Sequence, residues 1–299
     1  MTRSTLESLS RFSDLPDLQF LVSDNCSGDH TWSAIQSVSP AFGGRLQAFR
    51  QEVNLGFRGN LAFLAGKAEA KFIWFIGIGE TIAVDSLDAL INFLKSTNAV
   101  CGTVGGEVST GIMSSGNELA IGDTFGAIGL APYSETVSLN ILRTQECVTA
   151  LGAGEGLTAS YWPHLEVSLR LLDTSPQSVA FEVADTLVCI AENHDGWWFD
   201  RPNAYELLLS QAALLEAYSH LFPRFPWLGS RLEGIRKYQI VELILRMRVA
   251  GNRPKWKKLP QVLTKSKTTL LGLILITVFW VTPWSILRPL RAAAKLIQR

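Results

Sequence analysis

Cysteine and methionine are scarce in this chain, with four and three residues among 299. Cys26, Cys101, Cys147 and Cys189 stand far apart with no paired ligand spacing. That excludes a disulfide-stapled frame and a structural zinc site, leaving ordinary reduced thiols. Positive charge is missing from most of the chain. Residues 1–223 carry 11 Lys and Arg against 25 Asp and Glu, whereas residues 224–299 carry 16 against 2. The formal net charge of zero therefore conceals an acidic body and a basic tail suited to something anionic. The segment MTRSTLESLS has no apolar run of the kind a secretory signal needs, so the body is expected to stay in the cytoplasm. Walker loops, Gly-x-Ser-x-Gly elbows, His-Glu-x-x-His motifs, internal repeats and low-complexity tracts are all missing. What the chain does have is apolar bulk: 47% hydrophobic residues and nine tryptophans, enough for a real core.

The longest uncharged stretch lies in the basic tail, Thr268 to Leu287. Twenty helical residues span about 30 Å, the thickness of a bilayer's hydrocarbon core. Lys255, Lys257, Lys258, Lys265 and Lys267 flank one side, and Arg288, Arg291, Lys295 and Arg299 the other. Cations on both flanks set no orientation, and they suit either a span or a helix lying among anionic headgroups. Trp280 and Trp284 are placed for an interface, and Pro283 kinks a helix near its end. An anionic membrane is the expected partner of the tail. Nucleic acid is not, because the adjacent run is apolar and no folded nucleic-acid module accompanies it.

Along the body, strand and helix patterns alternate. Residues 4–12 read as a helix, 18–23 as a strand and 31–38 as a helix with Ser27 or Asp29 as cap. NLGFRGN (54–60) leads into a small-residue helix reaching about Ala70. KFIWFIG (71–77) is apolar on both faces, as a central parallel strand is, and a helix follows at 85–96. Beyond residue 100 the expectations are strands and loops in a Gly-rich stretch, a helix at 162–173, a strand or two at 178–192, and helices at 203–221 and 230–250. The fold class is α/β with a mostly parallel, Rossmann-type sheet and flanking helices, followed by a helical, membrane-associated C-terminal region.

Ligands of such sheets gather beyond the carboxyl ends of the strands. Two strands here end in acidic or glycine-rich turns, LVSDN at 21–25 and WFIGIGE at 74–80. The order Val22-Ser23-Asp24-Asn25-Cys26-Ser27-Gly28-Asp29, then Asn54-Leu55-Gly56-Phe57-Arg58-Gly59-Asn60, then the second strand, resembles family 2 glycosyltransferases of the GT-A fold. The likeness is strongest to bacterial members that build cell-surface polysaccharides. It runs in order from residue 4 to about 95 and thins over 150–200.

The resemblance implies a nucleotide-sugar donor held by Asp24, Asn25, Asp29, Arg58 and Asn60. A carboxylate at Asp24 suits ribose hydroxyls or base N–H groups, while capping of a turn and a helix is the alternative role for Asp24 and Asp29. It also implies a divalent cation, Mg²⁺ or Mn²⁺, on the donor diphosphate. The acidic run that would hold it aligns with Ile78, Gly79 and Glu80, so Glu80 is the one oxygen ligand kept there. The strand that normally opens the fold has no counterpart before the first helix. For the base that accepts the acceptor's proton, the candidates are Glu155, His164 and Glu166, and Pro163 suits the first turn of their helix. Trp197 and Trp198 fit either sugar stacking or core.

The expected division is a nucleotide-sugar-binding half over 1–110, an acceptor-side half over 111–200 and a helical region with the basic tail over 201–299. The expected function is transfer of a sugar to a lipid-linked or glycan acceptor, with inversion, at the cytoplasmic face of the inner membrane. The rival is a noncatalytic, membrane-bound module that keeps the scaffold, which Ile78-Gly79 and the absent first strand favour.

Overall fold

The computed structural model describes residues 2–108, 121–122, 137–152, 162–174, 180–190 and 204–235. The chain divides into two compact units, Met1–His194 and Asp195–Arg299. The first unit opens with helix α1 (Thr2–Ser10), strand β1 (Phe20–Asp24), helix α2 (Thr31–Val38), strand β2 (Leu46–Arg50) and helix α3 (Gly56–Ala65). Strand β3 (Phe72–Trp74), strand β4 (Glu80–Ile82), helix α4 (Asp88–Ser96) and strand β5 (Cys101–Val108) follow. The short β6 (Ile121–Gly122), β7 (Asn140–Arg143), helices α5 (Thr144–Gly152) and α6 (Pro163–Asp173), and strand β8 (Ala180–Ile190) complete its described elements.

Strands β1 and β2 form a parallel pair in which Asp24 stands opposite Arg50. The remaining strands form a second sheet in the order β3-β7-β5-β8-β4, with β6 on β8. Here the expectation of a mostly parallel sheet needs correction. β5 runs parallel to β8, whereas β3–β7, β5–β7, β4–β8 and β6–β8 are antiparallel. KFIWFIG is likewise not a central parallel strand: β3 has three residues and sits at the end of the described strand order. Strands and helices alternate from α1 to β3, after which β4 follows with no helix between. The partners of β3 and β5 come from β7 and β8, whose hydrophobic runs carry no sign of chain direction.

Burial explains the rest. Phe20 and Phe42 meet edge to face at 5.1 Å beneath α2, whose Ile35 and Val38 are buried. Phe93 of α4 meets Phe181 of β8 at the same distance. A Cβ on Gly102 would come within 2.4 Å of the Phe181 ring, so β5 needs glycine where that ring lies across it. Cys101 and Cys147 are buried, and burial pushes both thiols up to about 12, which makes them inert.

The expected helices at 31–38 and 162–173 coincide with α2 and, to one residue, α6. Strand β2 went unanticipated, since LQAFR is exposed along much of its length. In the second unit, α7 (Ala204–Ala217) packs on α8 (Pro226–Gly234), where proline takes the first turn. Among the described residues no helix is long and apolar enough to cross a membrane. The run at 268–287 and most of the helix expected at 230–250 lie outside those residues.

Candidate functional site

Asp24 ends β1, and its side chain is fully buried. One carboxylate oxygen, Oδ1, accepts the N–H of Ser27 at 2.9 Å and so closes the turn after the strand. Within that turn Cys26 takes a left-handed conformation at φ 64°. The other oxygen, Oδ2, has no hydrogen-bond partner and lies 3.6 Å from Nε of Arg50. The Arg50 guanidinium in turn lies over the Trp32 ring, 5.9 Å from its centroid. Capping thus occupies one oxygen, and the second is buried facing Arg50 with no hydrogen bond.

The neighbouring loop is tied to this turn by amides. Asn25 accepts the N–H of Leu55 at 2.8 Å and donates to Oδ1 of Asn54 at 3.0 Å and to the Gly56 carbonyl at 3.3 Å. Oδ1 of Asn54 accepts the N–H of Gly56, which starts α3 with φ +70°. Asn60 accepts the Ser23 hydroxyl at 2.7 Å, and that hydroxyl accepts from Gln51. These bonds make Asn25, Asn54 and Asn60 the frame that holds the two loops in register. Asp29 is exposed and accepts the N–H of Thr31 at 2.9 Å at the entry to α2. That bond with Thr31 holds its carboxyl below the ordinary aspartate range.

Arg58 links this side of the molecule to the next. Its guanidinium donates to the carbonyl of Leu151 near the end of α5 at 3.1 Å, and α5 packs on α6. Helix α6 is buried on every face from Pro163 to Leu169, so its polar residues lie in the interior. His164 lies between the rings of Phe57 and Trp162, with centroids 6.3 and 6.2 Å away. Glu166 pairs with Arg170 at 3.3 Å through Oε1, while its buried Oε2 has no hydrogen-bond partner. Burial pushes the Glu166 carboxyl above its ordinary range, opposed by the charges of Arg170 and Arg58. Among the sequence-predicted residues, Arg58, His164 and Glu166 are therefore brought together across α3, α5 and α6. Glu155 and the Trp197–Trp198 pair lie outside the described residues.

Glu80 opens β4 and is buried, and its Oε2 accepts the N–H of Gly77 at 2.6 Å. Among the described residues there is no group of three His, Cys, Asp or Glu able to hold a metal ion. One carboxylate folded onto its own backbone is a poor donor set for a hard cation, which needs several outward oxygens. The described residues do not fit the implied ion.

Arg50 and Trp32 beside Asp24 were not singled out from the sequence, and Asn54 was named there only as part of the NLGFRGN motif. The signal that points to Arg50 is the strand register, visible only once LQAFR is recognised as β2 beside β1.

Residues 1–112 match the family described as glycosyl transferase family 2. No curated protein sequence matches the chain. Among solved structures, residues 1–349 of S. aureus TarS align with TM-score 0.53 at 16% identity, covering 87% of this chain and 73% of that one. The same protein in complex with UDP-GlcNAc gives 0.55 at 15% identity, over 88% and 75%. A mannosyltransferase from Pyrobaculum calidifontis, in complex with GDP-Man and Mn²⁺, gives 0.56 at 14%, over 98% and 82%. At such identities the likeness carries the fold alone. Residues 1–112 are thus similar to glycosyl transferase family 2, and the fold of the chain is of the GT-A-like α/β kind.

Proposed function

We propose that the chain transfers a sugar from a nucleotide-sugar donor to a lipid-linked or glycan acceptor in bacterial cell-surface polysaccharide synthesis, with inversion. The observation that carries the donor half is Asp24. A buried carboxylate oxygen with no hydrogen-bond partner, at the carboxyl end of a strand, calls for a donor such as a ribose hydroxyl or base N–H. The glycosyl transferase family 2 match over the same residues supports this reading. Asn25 and Asn60 shape the loops around the nucleotide, Asp29 bonds Thr31 at the entry to α2, and Arg58 stands on the helix that leads from the loop.

The proton of the acceptor hydroxyl falls to α6. His164 is the first candidate, because an imidazole titrates near neutrality and its ring meets Phe57 of the donor-side helix. Glu166 and Glu155 are the alternatives. The apolar run at 268–287 and its flanking cations support a location on an anionic membrane, and the cytoplasmic face of the inner membrane is part of the proposal.

Two experiments test the reading. The purified chain is offered radiolabelled UDP- and GDP-sugars with lipid extracts, and sugar transfer is scored by extraction. Transfer supports the proposal; nucleotide binding without transfer to any acceptor assigns the chain to the noncatalytic alternative. For location, deletion of residues 251–299 is expected to release a folded protein from anionic vesicles. A truncated protein that still sediments with them removes the tail as anchor.

A further inference from the structure

Glu80 stands where the family resemblance implies a cation ligand, and the geometry gives its carboxylate another task. Residues Gly77 to Glu80 form a turn between β3 and β4 in which two bonds run in opposite directions. The N–H of Glu80 donates to the Gly77 carbonyl at 3.2 Å, and the N–H of Gly77 donates to Oε2 of Glu80 at 2.6 Å. The carboxylate lies beside the Gly77 α-carbon: a Cβ there would come within 2.7 Å of Oε2 and 3.2 Å of Oε1. The carboxylate occupies the space that a side chain at position 77 would take.

The turn is also fastened to α1. Gly79, at φ +93°, donates its N–H to Oγ1 of Thr5 at 3.0 Å. The N–H of Ile82 donates to the Ser8 hydroxyl at 2.9 Å, and the Ile82 carbonyl accepts from Arg11 at 2.8 Å. Side chains of α1 and of Arg11 just after it therefore satisfy backbone groups of Gly79 and Ile82. A cation ligand has to turn its oxygens outward toward the metal at about 2.0–2.1 Å. For Glu80 a cation taken through Oε2 breaks the bond to Gly77, and Oε1 lies against the same glycine, 3.2 Å from the place of a Cβ.

We infer that Glu80 is the latch of a structural turn joining α1 to the sheet, and that this chain binds the nucleoside diphosphate of its donor without a divalent cation at that turn. The second half rests on the nucleotide-sugar reading above; the first half does not. If the latch is correct, the loss of the acidic run is not a loss of the turn. The residues that in the resemblance serve a metal serve the fold here.

The test uses the full-length chain. UDP and GDP are titrated by calorimetry in EDTA and again in excess Mn²⁺, and binding of Mn²⁺ alone is followed by electron paramagnetic resonance. Melting temperatures are measured for Glu80→Gln, Glu80→Ala, Gly77→Ala and the double variant Gly77→Ala with Glu80→Ala. The two nucleotide affinities are expected to agree within about twofold, and Mn²⁺ alone is expected not to bind. Glu80→Gln is expected to melt with the unmodified chain, because its amide oxygen still accepts from Gly77. Glu80→Ala and Gly77→Ala each melt lower, the second because its methyl displaces the carboxylate, and the double variant melts no lower than the worse single one. A tightening of about tenfold or more by Mn²⁺ that Glu80→Gln abolishes overturns the inference, as does an undiminished melting temperature for Glu80→Ala. Failure of both nucleotides to bind in either buffer counts against the nucleotide-sugar reading. In that case the melting temperatures and the Mn²⁺ measurement still decide the latch.

Discussion

Around Asp24, polar side chains bond one another and the backbone at or near the surface; along α6, polar side chains are driven into the interior. On the loop side, Asn25, Asn54, Asn60 and Ser23 meet at ordinary hydrogen-bond distances and remain exposed or half-buried. On the helix side, His164, Glu166 and Ser168 are all buried, and burial shifts the Glu166 carboxyl upward. The first arrangement is built from groups that water can also reach, so each bond is worth little by itself and the frame counts as a whole. The second withholds its groups from water, which sharpens their electrostatics and makes each substitution costly. The proposed function draws on both: a preformed cradle for the donor and a water-poor seat for proton transfer.

The comparison predicts its largest effect on α6. His164→Ala is expected to lower the transfer rate by about 10²–10⁴-fold, the usual range for removal of a positioned acid or base. Folding is checked by circular dichroism, and nucleotide affinity is expected to stay unchanged. An equal loss of both would make His164 part of the packing between Phe57 and Trp162 and nothing more.

Asp24→Ala comes next. Loss of a charge-assisted hydrogen bond is expected to weaken nucleoside diphosphate binding by about 1.5–3 kcal/mol, read by calorimetry. The turn bond to Ser27 is lost as well, at about 1 kcal/mol of stability. A variant with native affinity and lowered stability would leave Asp24 a cap alone.

A smaller effect separates the two regions by pH. Glu166 binds its proton more tightly folded than unfolded, because burial raises its pKa. The stability it contributes is therefore fully present below the unfolded glutamate range and lost as pH rises through the folded value. Glu166→Gln is expected to flatten that descent in a series of melting curves. Arg58→Met removes a charge that lowers the Glu166 pKa, so the descent extends to higher pH. Curves with the same slope in all three proteins would show that Glu166 does not titrate in this range.

The smallest effect belongs to Asp29, which is exposed. Its carboxyl is lowered by the bond to Thr31, so its contribution is present above the unfolded aspartate range and lost as pH falls through the folded value. Asp29→Ala is expected to speed amide exchange in the first turn of α2 and to leave nucleotide binding unaltered. A change in nucleotide affinity would move Asp29 from the helix cap into the donor cradle.

Much of the architecture was legible where local signals were dense. Helix α2 was anticipated to the residue, because its apolar spacing follows the Asp29 turn directly. Helix α6 was anticipated from Pro163 and its leucine periodicity. By contrast β2 offers five residues with little burial, and the place of β3 at the end of the strand order depends on a partner near residue 142. The site followed the same division. Asp24 was recognisable as a carboxylate ending a strand, whereas Arg50 became its neighbour only through the pairing of β1 with β2.

What the sequence by itself determined is local and additive: an acidic body and basic tail, reduced thiols, turns at Asp24 and Gly77, and two helices with clear apolar spacing. What the tertiary structure decided is which side chains share a space. Phe57 meets His164, Arg58 reaches Leu151, and Thr5 holds Gly79, each across a long stretch of chain. Glu80 shows the physical reason most plainly. Its position in the chain offers a carboxylate to a metal or to a turn with equal ease, and the choice falls to geometry. With Gly77 leaving room for the carboxylate and α1 fixing the adjoining backbone, the backbone N–H is the nearer partner.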